Sequence, residues 1–363
     1  MVSIFAPARV NLLGEHTDYS GGLVLPVAVE LGVTVTGSAG GSAIRLRSLA
    51  FDETVELGLD GEAPPALGGW GRYAAAVAGL LAERGRPAVG LDATISSTIP
   101  IGAGLSSSAA LDVGVGLALC RAAAFDLPPL ELAHVAQEAE LRAVGVPCGL
   151  MDPATSLLGR RGHAVLLDCA TEEYRLVPLP PELAIVVLDS GVRHDLENSG
   201  YATRRAEFER AIAALGGRRP SLWTVDEATA AAEEAGIDEV AVRRLRHVVS
   251  ENERVRRCVL ALEAPGGPDR ALLGELFLAS HVSLRDDFEV STPELDRLVE
   301  LAYAHGAIAA RMTGGGFGGS VVALADVATA DAFAAAVMHA YEAETGLDGR
   351  GTVCVTADGA GDR

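Results

Sequence analysis

Five polar or ionisable side chains lie close together near the start of the chain, around a glycine turn. They occur within RVNLLGEHTDYSGG, residues 9–22, and are Arg9, Glu15, His16, Asp18 and Tyr19. Carboxylates and an imidazole can form hydrogen bonds with several hydroxyl groups of a sugar, and an arginine can stabilise the charge of a phosphoryl group. A solvated turn between two strands would have a similar composition, so the chemistry depends on what the rest of the chain brings to this segment.

A second segment, PIGAGLSSSAA at residues 100–110, leads directly into an apolar stretch with helical spacing. Gly102 and Gly104 allow a ligand to approach the backbone closely, and the serines at 106–108 can cap the helix. The first N–H groups of that helix can bind anionic oxygens at the positive end of its dipole. The segment therefore suits a phosphate group, although an ordinary capped loop would fit the same pattern.

A third segment, TGGGFGGS from Thr313 to Ser320, has five glycines in eight residues between two apolar runs. So many glycines cost conformational entropy unless the backbone needs positive φ angles or must approach a ligand closely. A β-hairpin with an irregular turn is the alternative interpretation.

Two further carboxylates are candidates for the same site. Glu140 lies in a predicted helix, and Asp152 follows twelve residues later, after a turn at Gly145, Pro147 and Gly149. If the chain folds back at this turn, both carboxylates face one cavity, where one holds a metal ion and the other lies near an acceptor hydroxyl. The spacing alone leaves this open, because a glutamate on a helix is usually a solvated surface residue.

Composition limits the classes of function that such a site can serve. The 363 residues include 49 acidic and 29 basic side chains, a formal net charge of −20, which makes nucleic acid and anionic membrane surfaces unfavourable partners. All 29 basic residues are arginine. Without lysine, P-loop, protein-kinase, pyridoxal Schiff-base and class I aldolase mechanisms are excluded. Small-molecule substrates remain, and phosphate chemistry must use arginine, magnesium and backbone N–H groups.

The five cysteines are widely spaced and form no C-x-x-C pair, so neither a disulfide framework nor a zinc cluster is indicated. Among them, Cys148 lies in a candidate functional segment. The amino terminus has no basic stretch followed by an apolar one, and no uncharged apolar run is long enough to span a bilayer. We therefore expect a cytoplasmic protein. As separate expectations, it would be a monomer with no nucleic-acid, membrane or obligate protein partner.

The candidate residues must be positioned by regular elements. Apolar runs bounded by glycines predict strands and hairpins over residues 1–60. Apolar residues at helical spacing predict helices from Gly68 to Arg84, from Ser108 to Phe125 and from Pro129 to Val144. Strand-like runs return after Gly162, and a composition shift near residues 180–195 indicates a domain boundary.

Beyond residue 200 the chain is rich in helix formers. Periodicity predicts helices over residues 202–215, 226–235, 239–263 and 328–345. The run GTVCVTA predicts a final strand. The third segment would thus connect two strands near the end of the chain.

In this order, the three segments resemble the motifs of the GHMP kinase superfamily and, within it, of the galactokinases. RVNLLGEHTDYSGG resembles the galactokinase signature, PIGAGLSSSAA the superfamily ATP loop and RMTGGGFGGS the third motif. Similarity also runs through CGLMD, DSGVRHDLENSGYATRRAEFE and SHVSLRDDFEVSTPELD, so that it covers nearly the whole chain.

The resemblance implies a two-domain α+β GHMP kinase fold with the active site in the cleft between the domains. The N-terminal domain, residues 1–182, would be similar to domain 2 of ribosomal protein S5 and would carry the sugar signature and the ATP loop. The C-terminal domain, residues 183–363, would be ferredoxin-like, and its last strand would pack back on the N-terminal domain.

The resemblance also implies roles for individual residues. Asp152 would be the catalytic base, and Arg9 would stabilise the transition state. Sugar contacts are implied for Glu15, His16, Thr17, Asp18, Gly149, Asp152 and Tyr201. The ATP-binding residues would be Gly102, Ala103, Gly104, Leu105, Ser106, Ser107 and Ser108. The magnesium ligands would be Ser108 and Glu140.

The implied reaction is ATP-dependent phosphorylation of D-galactose at its anomeric C1 hydroxyl, which gives α-D-galactose 1-phosphate and ADP and requires Mg²⁺. Two alternatives remain. One is a related kinase acting on N-acetylgalactosamine, arabinose or a uronic acid, and the other is a non-catalytic sensor of galactose and ATP. The presence of Arg9, Asp152 and an intact ATP loop favours catalysis.

Two positions depart from the family pattern. Pro153 follows the aspartate where glutamine is common, and Ser320 ends the third motif where cysteine is common. Because proline lacks a backbone donor and has a restricted φ, we expect it to change the loop beside Asp152 and with it the sugar selectivity.

Overall fold

The computed structural model describes residues 1–64, 67–100, 104–145, 148–193 and 200–363. Its larger sheet, here called the N-terminal sheet, contains β1 (Val2–Asn11), β3 (Pro26–Ala39), β4 (Ile44–Ser48), β5 (Glu53–Leu57), β6 (Leu91–Ser97) and β13 (Gly361–Asp362). The strand order is β13–β1–β3–β6–β4–β5. The β4–β6 pair is parallel, and the other neighbours are antiparallel.

The pairing of β1 with β3 fixes both ends of the segment between them. The two strands run antiparallel until Asn11 lies opposite Pro26. Residues 12–25, here called the signature loop, therefore leave the sheet from one strand and return to it on the neighbouring strand. Near its end the loop includes β2 (Leu23–Val24), which pairs with a small separate sheet formed by β7 (His163–Asp168) and β8 (Tyr174–Pro178).

Four helices cover the N-terminal sheet. They are α1 (Trp70–Glu83), α2 (Ser107–Ala122), α3 (Pro129–Val144) and α4 (Met151–Leu158). α2 and α4 contact β1 and β3, and α1 and α3 pack on α2. The buried faces consist largely of alanine, valine and leucine, and they bring the helices close to the sheet.

The second sheet, here called the C-terminal sheet, contains β9 (Leu183–Asp189), β10 (Ala309–Thr313), β11 (Ser320–Asp326) and β12 (Arg350–Cys354). Its order is β10–β11–β9–β12, with antiparallel neighbours throughout. Helices α8 (Arg270–Asp286), α9 (Pro293–Ala304) and α10 (Ala330–Thr345) pack against it. Because β9 is the first strand of this sheet along the chain, we place the proposed domain boundary just before Leu183.

Between β9 and α8, the described residues form three α-helices: α5 (Tyr201–Ala214), α6 (Val225–Glu234) and α7 (Glu239–Leu262). α7 is long enough to reach both hydrophobic cores. Leu245 and Val248, in its first half, are buried with residues of the C-terminal sheet. Cys258 and Leu262, near its end, are buried with residues of the N-terminal sheet. The middle of α7 therefore lies where the two parts of the molecule meet.

The α+β prediction is confirmed, and several helices agree closely with their predicted spans. The helix from Pro129 to Val144 has the predicted bounds, and Gly145 after it adopts a left-handed conformation with φ of 73°. Sequence periodicity missed α4, because its eight residues follow a turn and contain a proline. It also missed α8 and α9. The motif SHVSLRDDFEVSTPELD overlaps both helices but does not indicate where either one begins or ends.

The predicted final strand is β12, which pairs with β9 inside the C-terminal sheet. The chain then continues to β13, which pairs with β1 at the edge of the N-terminal sheet. Between β12 and β13, an isolated β-bridge pairs Thr356 with Val29 of β3. The end of the predicted run also contacts β3, because the Glu30 amide donates to the Val355 carbonyl at 2.9 Å and the Ala357 amide donates to the Ala28 carbonyl at 2.8 Å. The run therefore packs back on the N-terminal sheet, and β13 adds a second contact.

Pro153 lies in the first turn of α4, where its φ suits a helix. The first four N–H groups of a helix have no partner within it, so a proline here costs no helical hydrogen bond. The expected disturbance beside Asp152 is therefore absent from the backbone hydrogen bonding of this helix.

None of the described helices combines the length and the apolar character that crossing a membrane would require.

Candidate active site

A cavity of about 240 Å³ opens between the two sheets. Its walls come from the signature loop, the start of α2, α3, the start of α4, the start of α5 and the third motif. Among the predicted site residues, those lining it are Arg9, Glu15, His16, Asp18, Gly104, Leu105, Ser106, Ser107, Ser108, Glu140, Gly149, Asp152 and Tyr201. Gly102 and Ala103 lie outside the described residues. The fold therefore gathers three distant segments around one space.

Arg9 and Asp152 form an ion pair on the cavity wall. Arg9 Nε lies 2.7 Å from Asp152 Oδ1, and Arg9 Nη2 lies 2.8 Å from Asp152 Oδ2, a two-pronged geometry that holds both planes in register. Arg9 Nη1 donates to the carbonyl of Gly104 at 2.8 Å. Burial alone would lower the pKa of Arg9, but Asp152 and Glu15 raise it above its ordinary value. The Asp152 side chain remains 24% exposed, so it faces the cavity.

The start of α2 differs from the sequence prediction. Ser106 precedes the helix, but its hydroxyl donates to Asp152 Oδ2 at 2.5 Å and does not cap α2. Ser106 also has a left-handed backbone conformation, with φ of 58°. The prediction that Ser106 caps this helix is therefore wrong. Within the described part of the chain no side chain caps α2, so its first N–H groups can bind an anionic ligand.

Glu140 lies on α3 and faces the start of α2. Ser108 donates to Glu140 Oε1 at 2.7 Å. Burial raises the pKa of Glu140, and the nearby Asp152 carboxylate raises it further against the hydrogen bond from Ser108. Burial also raises the pKa of the Cys148 thiol, so this cysteine is not an activated thiolate. Two carboxylates and a hydroxyl thus share one wall of the cavity.

Asp18 lies against Gly149. A Cβ atom added to Gly149 would come within 1.7 Å of Asp18 Oδ2, so the carboxylate occupies the space that any other residue at 149 would fill. Burial raises the pKa of Asp18 to about 7, and repulsion from Asp152 and Glu15 contributes to the rise. Asp18 thus changes its charge near neutral pH in the ligand-free protein.

Aromatic rings close the cavity on the side of the signature loop. The His16 ring centroid lies 5.5 Å from that of Tyr201 and 4.5 Å from that of Phe288. His16 Nδ1 lies 3.1 Å from the Tyr19 hydroxyl. Burial lowers the pKa of His16 to about 4, so the imidazole is neutral at physiological pH. Tyr201 comes from α5, so this wall includes both parts of the chain.

Glu15 lines the cavity and also ties the signature loop to the third motif. Its Oε1 accepts hydrogen bonds from Arg311 Nη2 at 3.1 Å, Thr313 Oγ1 at 2.9 Å and the Gly314 amide at 2.7 Å. Arg311 also donates to the carbonyls of Asn11 and Leu12. Oε1 of Glu15 therefore holds the signature loop to the third motif, and the residue still lines the cavity.

Thr17 is predicted to contact a sugar, but it does not line the described part of the cavity. Its hydroxyl lies 2.8 Å from the Gly14 carbonyl and 2.7 Å from the Leu23 carbonyl. Gly14 has φ of 102°, a conformation that favours glycine. We therefore assign Thr17 to closing the signature loop, a correction of its predicted role.

Several residues that support the site were not predicted from the sequence. Arg311, His247, Glu251 and Asn252 are fully buried polar side chains that contact the signature loop. One signal was available in the run RHVVSEN, where polar residues at positions 247, 251 and 252 share one helix face with apolar ones. Periodicity predicts only a helix over residues 239–263 and gives these three residues no role.

Three family models match the chain. They are the galactokinase galactose-binding signature at residues 2–39, the GHMP kinases N-terminal domain at residues 72–160 and the GHMP kinases C-terminal domain at residues 259–343. A crystal structure of mevalonate kinase, 19% identical, superposes with a TM-score of 0.69 over 99% of this chain and 100% of that one, a likeness of fold alone. The fold and the cleft site define a kinase of the GHMP class.

Curated relatives and a solved structure resolve the family further. The galactokinase of Chloroflexus aurantiacus is 43% identical over 98% of this chain and 91% of its own length. That of Haemophilus influenzae is 38% identical over 99% and 94%. The crystal structure of Lactococcus lactis galactokinase complexed with galactose is 32% identical, with a TM-score of 0.93 and coverage of 100% and 95%. The chain belongs to the galactokinase family.

Proposed function

We propose that the enzyme transfers the γ-phosphoryl group of ATP to the anomeric C1 hydroxyl of D-galactose, giving α-D-galactose 1-phosphate and ADP. The observation that carries this proposal is the Arg9–Asp152 pair on a cavity wall shared by the signature loop and the open start of α2. A phosphate at α2 and a sugar at the signature loop would meet at this pair. The full-length similarity to galactokinases supports galactose as the acceptor.

Asp152 is the group that we assign to the acceptor hydroxyl. It is held from behind by two hydrogen bonds from Arg9 and one from Ser106, and its exposed edge faces the cavity. It can accept the hydroxyl proton as the oxygen attacks phosphorus, or orient that hydroxyl for in-line attack. Preorganisation by three fixed donors means that little rearrangement is needed at the moment of reaction.

Arg9 is the cation that we assign to the transition state. Three of its five N–H groups bond to Asp152 and Gly104, so two remain for phosphoryl oxygens. Since the chain has no lysine, arginine and the N–H groups at the start of α2 supply the positive charge that phosphoryl transfer requires.

Ser108 and Glu140 fit a magnesium ion. They present only oxygen atoms, and the buried Glu140 accepts a hydrogen bond from Ser108, a donor set that suits a hard cation. No group of three or more His, Cys, Asp or Glu side chains that could hold a metal exists among the described residues. Magnesium typically uses one or two protein ligands, with substrate phosphates and water completing its shell. When bound, it would neutralise charge on the β- and γ-phosphates.

The sugar hydroxyls would bind Asp18, His16, Glu15 and Tyr201, with the Gly149 backbone providing close contact. A neutral His16 and a carboxylate at Asp18 offer both donor and acceptor atoms, which suits hydroxyl groups. Pro153 is turned into α4 and does not line the cavity in the described residues. We therefore infer that galactose selectivity does not depend on position 153.

We also propose that the enzyme works in the cytoplasm as a monomer. Its five cysteines are free thiols, and three of them are buried, which is typical of a reducing compartment. Size-exclusion chromatography with light scattering would test the monomer, and a stable dimer peak would refute it.

The test is ADP release from Mg-ATP with galactose, glucose, N-acetylgalactosamine, arabinose and galacturonate as acceptors. Galactose should give the highest kcat/KM, and NMR of the product should place the phosphate on C1. Turnover with another sugar alone would change the substrate, and saturable binding of galactose and ATP without turnover would indicate a sensor. Omitting Mg²⁺, or using Glu140→Ala, should lower the rate, with a higher Mg²⁺ concentration needed for half-maximal activity in the variant.

A further inference from the structure

Three buried polar residues of α7 contact the signature loop and are not among the described residues that line the cavity. His247 Nε2 lies 3.1 Å from the Glu15 carbonyl, Glu251 Oε1 accepts from the Gly14 amide at 2.9 Å, and Asn252 Oδ1 accepts from the Leu23 amide at 2.7 Å. All three side chains are fully buried. We call His247, Glu251 and Asn252 the α7 clamp.

The α7 clamp binds backbone atoms and leaves the side chains of the loop free for the cavity. Glu15, His16 and Asp18 lie between its two attachment points at Gly14 and Leu23. A shift of either attachment would move these side chains together, because the loop between them is short and closed by Thr17. The clamp therefore controls the position of the sugar-facing residues without touching the cavity.

Each clamp residue is itself held in place. Glu251 also accepts from Ser280 and Arg254, at 2.8 and 2.6 Å, and Asn252 donates to the Val248 carbonyl at 2.7 Å. Burial alone would raise the pKa of Glu251, but the positive charges of Arg254 and Arg311 lower it to about 2. The clamp thus combines fixed geometry with a constant charge.

The donor on His247 follows from its partner. Burial lowers the pKa of His247 to about 3, so the ring is neutral and carries one N–H group. A carbonyl oxygen can only accept, so Nε2 carries the hydrogen and donates to Glu15. Nδ1 faces the Ser283 hydroxyl at 3.0 Å, which fixes the ring from the other side.

We propose that the α7 clamp consists of positioning residues that set the affinity of the enzyme for its sugar substrate through the backbone of the signature loop. The proposal rests on the function proposed above, because it assigns the loop to the sugar. Since α7 is buried in both hydrophobic cores, the C-terminal part of the chain would thereby tune a site built largely on the N-terminal sheet.

The main test uses variants that remove one clamp bond. His247→Leu removes the donor to Glu15, and Asn252→Leu removes the acceptor for Leu23. Each should raise the KM for galactose about tenfold, the usual consequence of leaving one buried polar group unpaired, while the KM for ATP stays within about twofold. His247→Gln, whose amide can place a donor near the position of Nε2, should restore most of the affinity.

Two controls separate positioning from general damage. Ser250→Ala removes a hydroxyl that bonds to carbonyls of its own helix, at Arg246 and His247, and should leave both KM values unchanged. Val337→Ala weakens the core beside the C-terminal sheet and should lower the melting temperature without changing the KM for galactose. Equal rises of both KM values in the clamp variants, or a rise in Val337→Ala, would overturn the proposal.

A second measurement does not depend on activity. Hydrogen exchange followed by mass spectrometry should show the peptide covering residues 10–25 exchanging at least about tenfold faster in Asn252→Leu and His247→Leu than in the wild type, because local opening becomes easier. Unchanged exchange would refute the clamp even if galactose were the wrong substrate. If the wild type fails to phosphorylate galactose while the exchange result holds, the proposed function fails and the clamp stands.

Discussion

Two arginine–carboxylate pairs lie at the site, and they differ in their access to solvent. The Arg9–Asp152 pair is on the cavity wall, and the Asp152 side chain is 24% exposed. The Arg311–Glu15 pair lies behind it, with side-chain exposures of 0% and 4%. An exposed edge leaves Asp152 able to meet a ligand, whereas Glu15 uses one of its carboxylate oxygens, Oε1, to accept from three protein donors. The same chemical pair thus serves reactivity in one place and shape in the other.

The difference also applies to charge. Asp18, on the open side, has a pKa raised to about 7 by burial and by Asp152 and Glu15. Glu251 and His247, on the closed side, have pKa values lowered to about 2 and 3. Between pH 5 and 9, Asp18 changes its protonation state, whereas Glu251 and His247 do not. Ligand affinity can then respond to pH while the loop keeps its position.

The largest effect is expected from Asp152→Asn, which breaks the Arg9–Asp152 ion pair. Asparagine keeps the shape but cannot accept the proton or hold Arg9 by charge, so kcat should fall by about 10³-fold. Steady-state ADP release gives kcat, and calorimetry should show galactose affinity within a few-fold of the wild type. Asp92→Asn, at an exposed position on β6, is the control. Turnover close to that of the wild type would contradict the assignment of Asp152.

Arg311→Met should break the Arg311–Glu15 ion pair, and its main effect should be a lower free energy of unfolding. It leaves the buried Glu15 carboxylate without its cation, and such losses cost about 3–5 kcal/mol of unfolding free energy. Urea unfolding would measure this cost. Arg142→Met, which removes an exposed pair with Glu83 and Glu138, should cost less than about 1 kcal/mol. Similar losses of unfolding free energy in the two variants would contradict a larger stabilising role for the buried Arg311–Glu15 pair.

Gly149→Ala should sharpen the comparison on the sugar side. The added Cβ would lie 1.7 Å from Asp18 Oδ2, so the carboxylate must move away. We expect the KM for galactose to rise by about 10–100-fold, equivalent to about 1.4–2.7 kcal/mol, with little change in the KM for ATP. Gly79→Ala, whose Cβ would meet the Asp60 carbonyl at an ordinary 3.4 Å, is the matched control.

The smallest effect is expected in the pH profile. Because the folded-state pKa of Asp18 is about 7, the carboxylate is protonated below that pH and charged above it. If the charged form accepts sugar hydroxyls, kcat/KM for galactose should fall up to about tenfold per pH unit below 7. Asp18→Asn should lack this inflection, and an identical inflection in that variant would assign it to another group.

Local pattern predicted the regular elements better than it predicted the roles of polar residues. The helix from Pro129 to Val144 was predictable because a proline, an apolar stripe and a terminal glycine all act within a few residues. The role of Ser106 was not, because a serine before a helix usually caps it, and here a carboxylate 46 residues later accepts its hydroxyl instead. Thr17 was misassigned for a similar reason, since its hydroxyl is used inside its own loop.

The sequence by itself determined which chemical groups are available, namely an arginine-only cation set, carboxylates beside glycine turns and a serine-rich helix start. Tertiary structure alone decided which groups meet. Arg9 reaches Asp152 across 143 positions, and Arg311 reaches Glu15 across 296. Residue type and local spacing act over a few residues, whereas partner choice and solvent access depend on how the two sheets and α7 pack. The same carboxylate can therefore become a reactive group or a structural one.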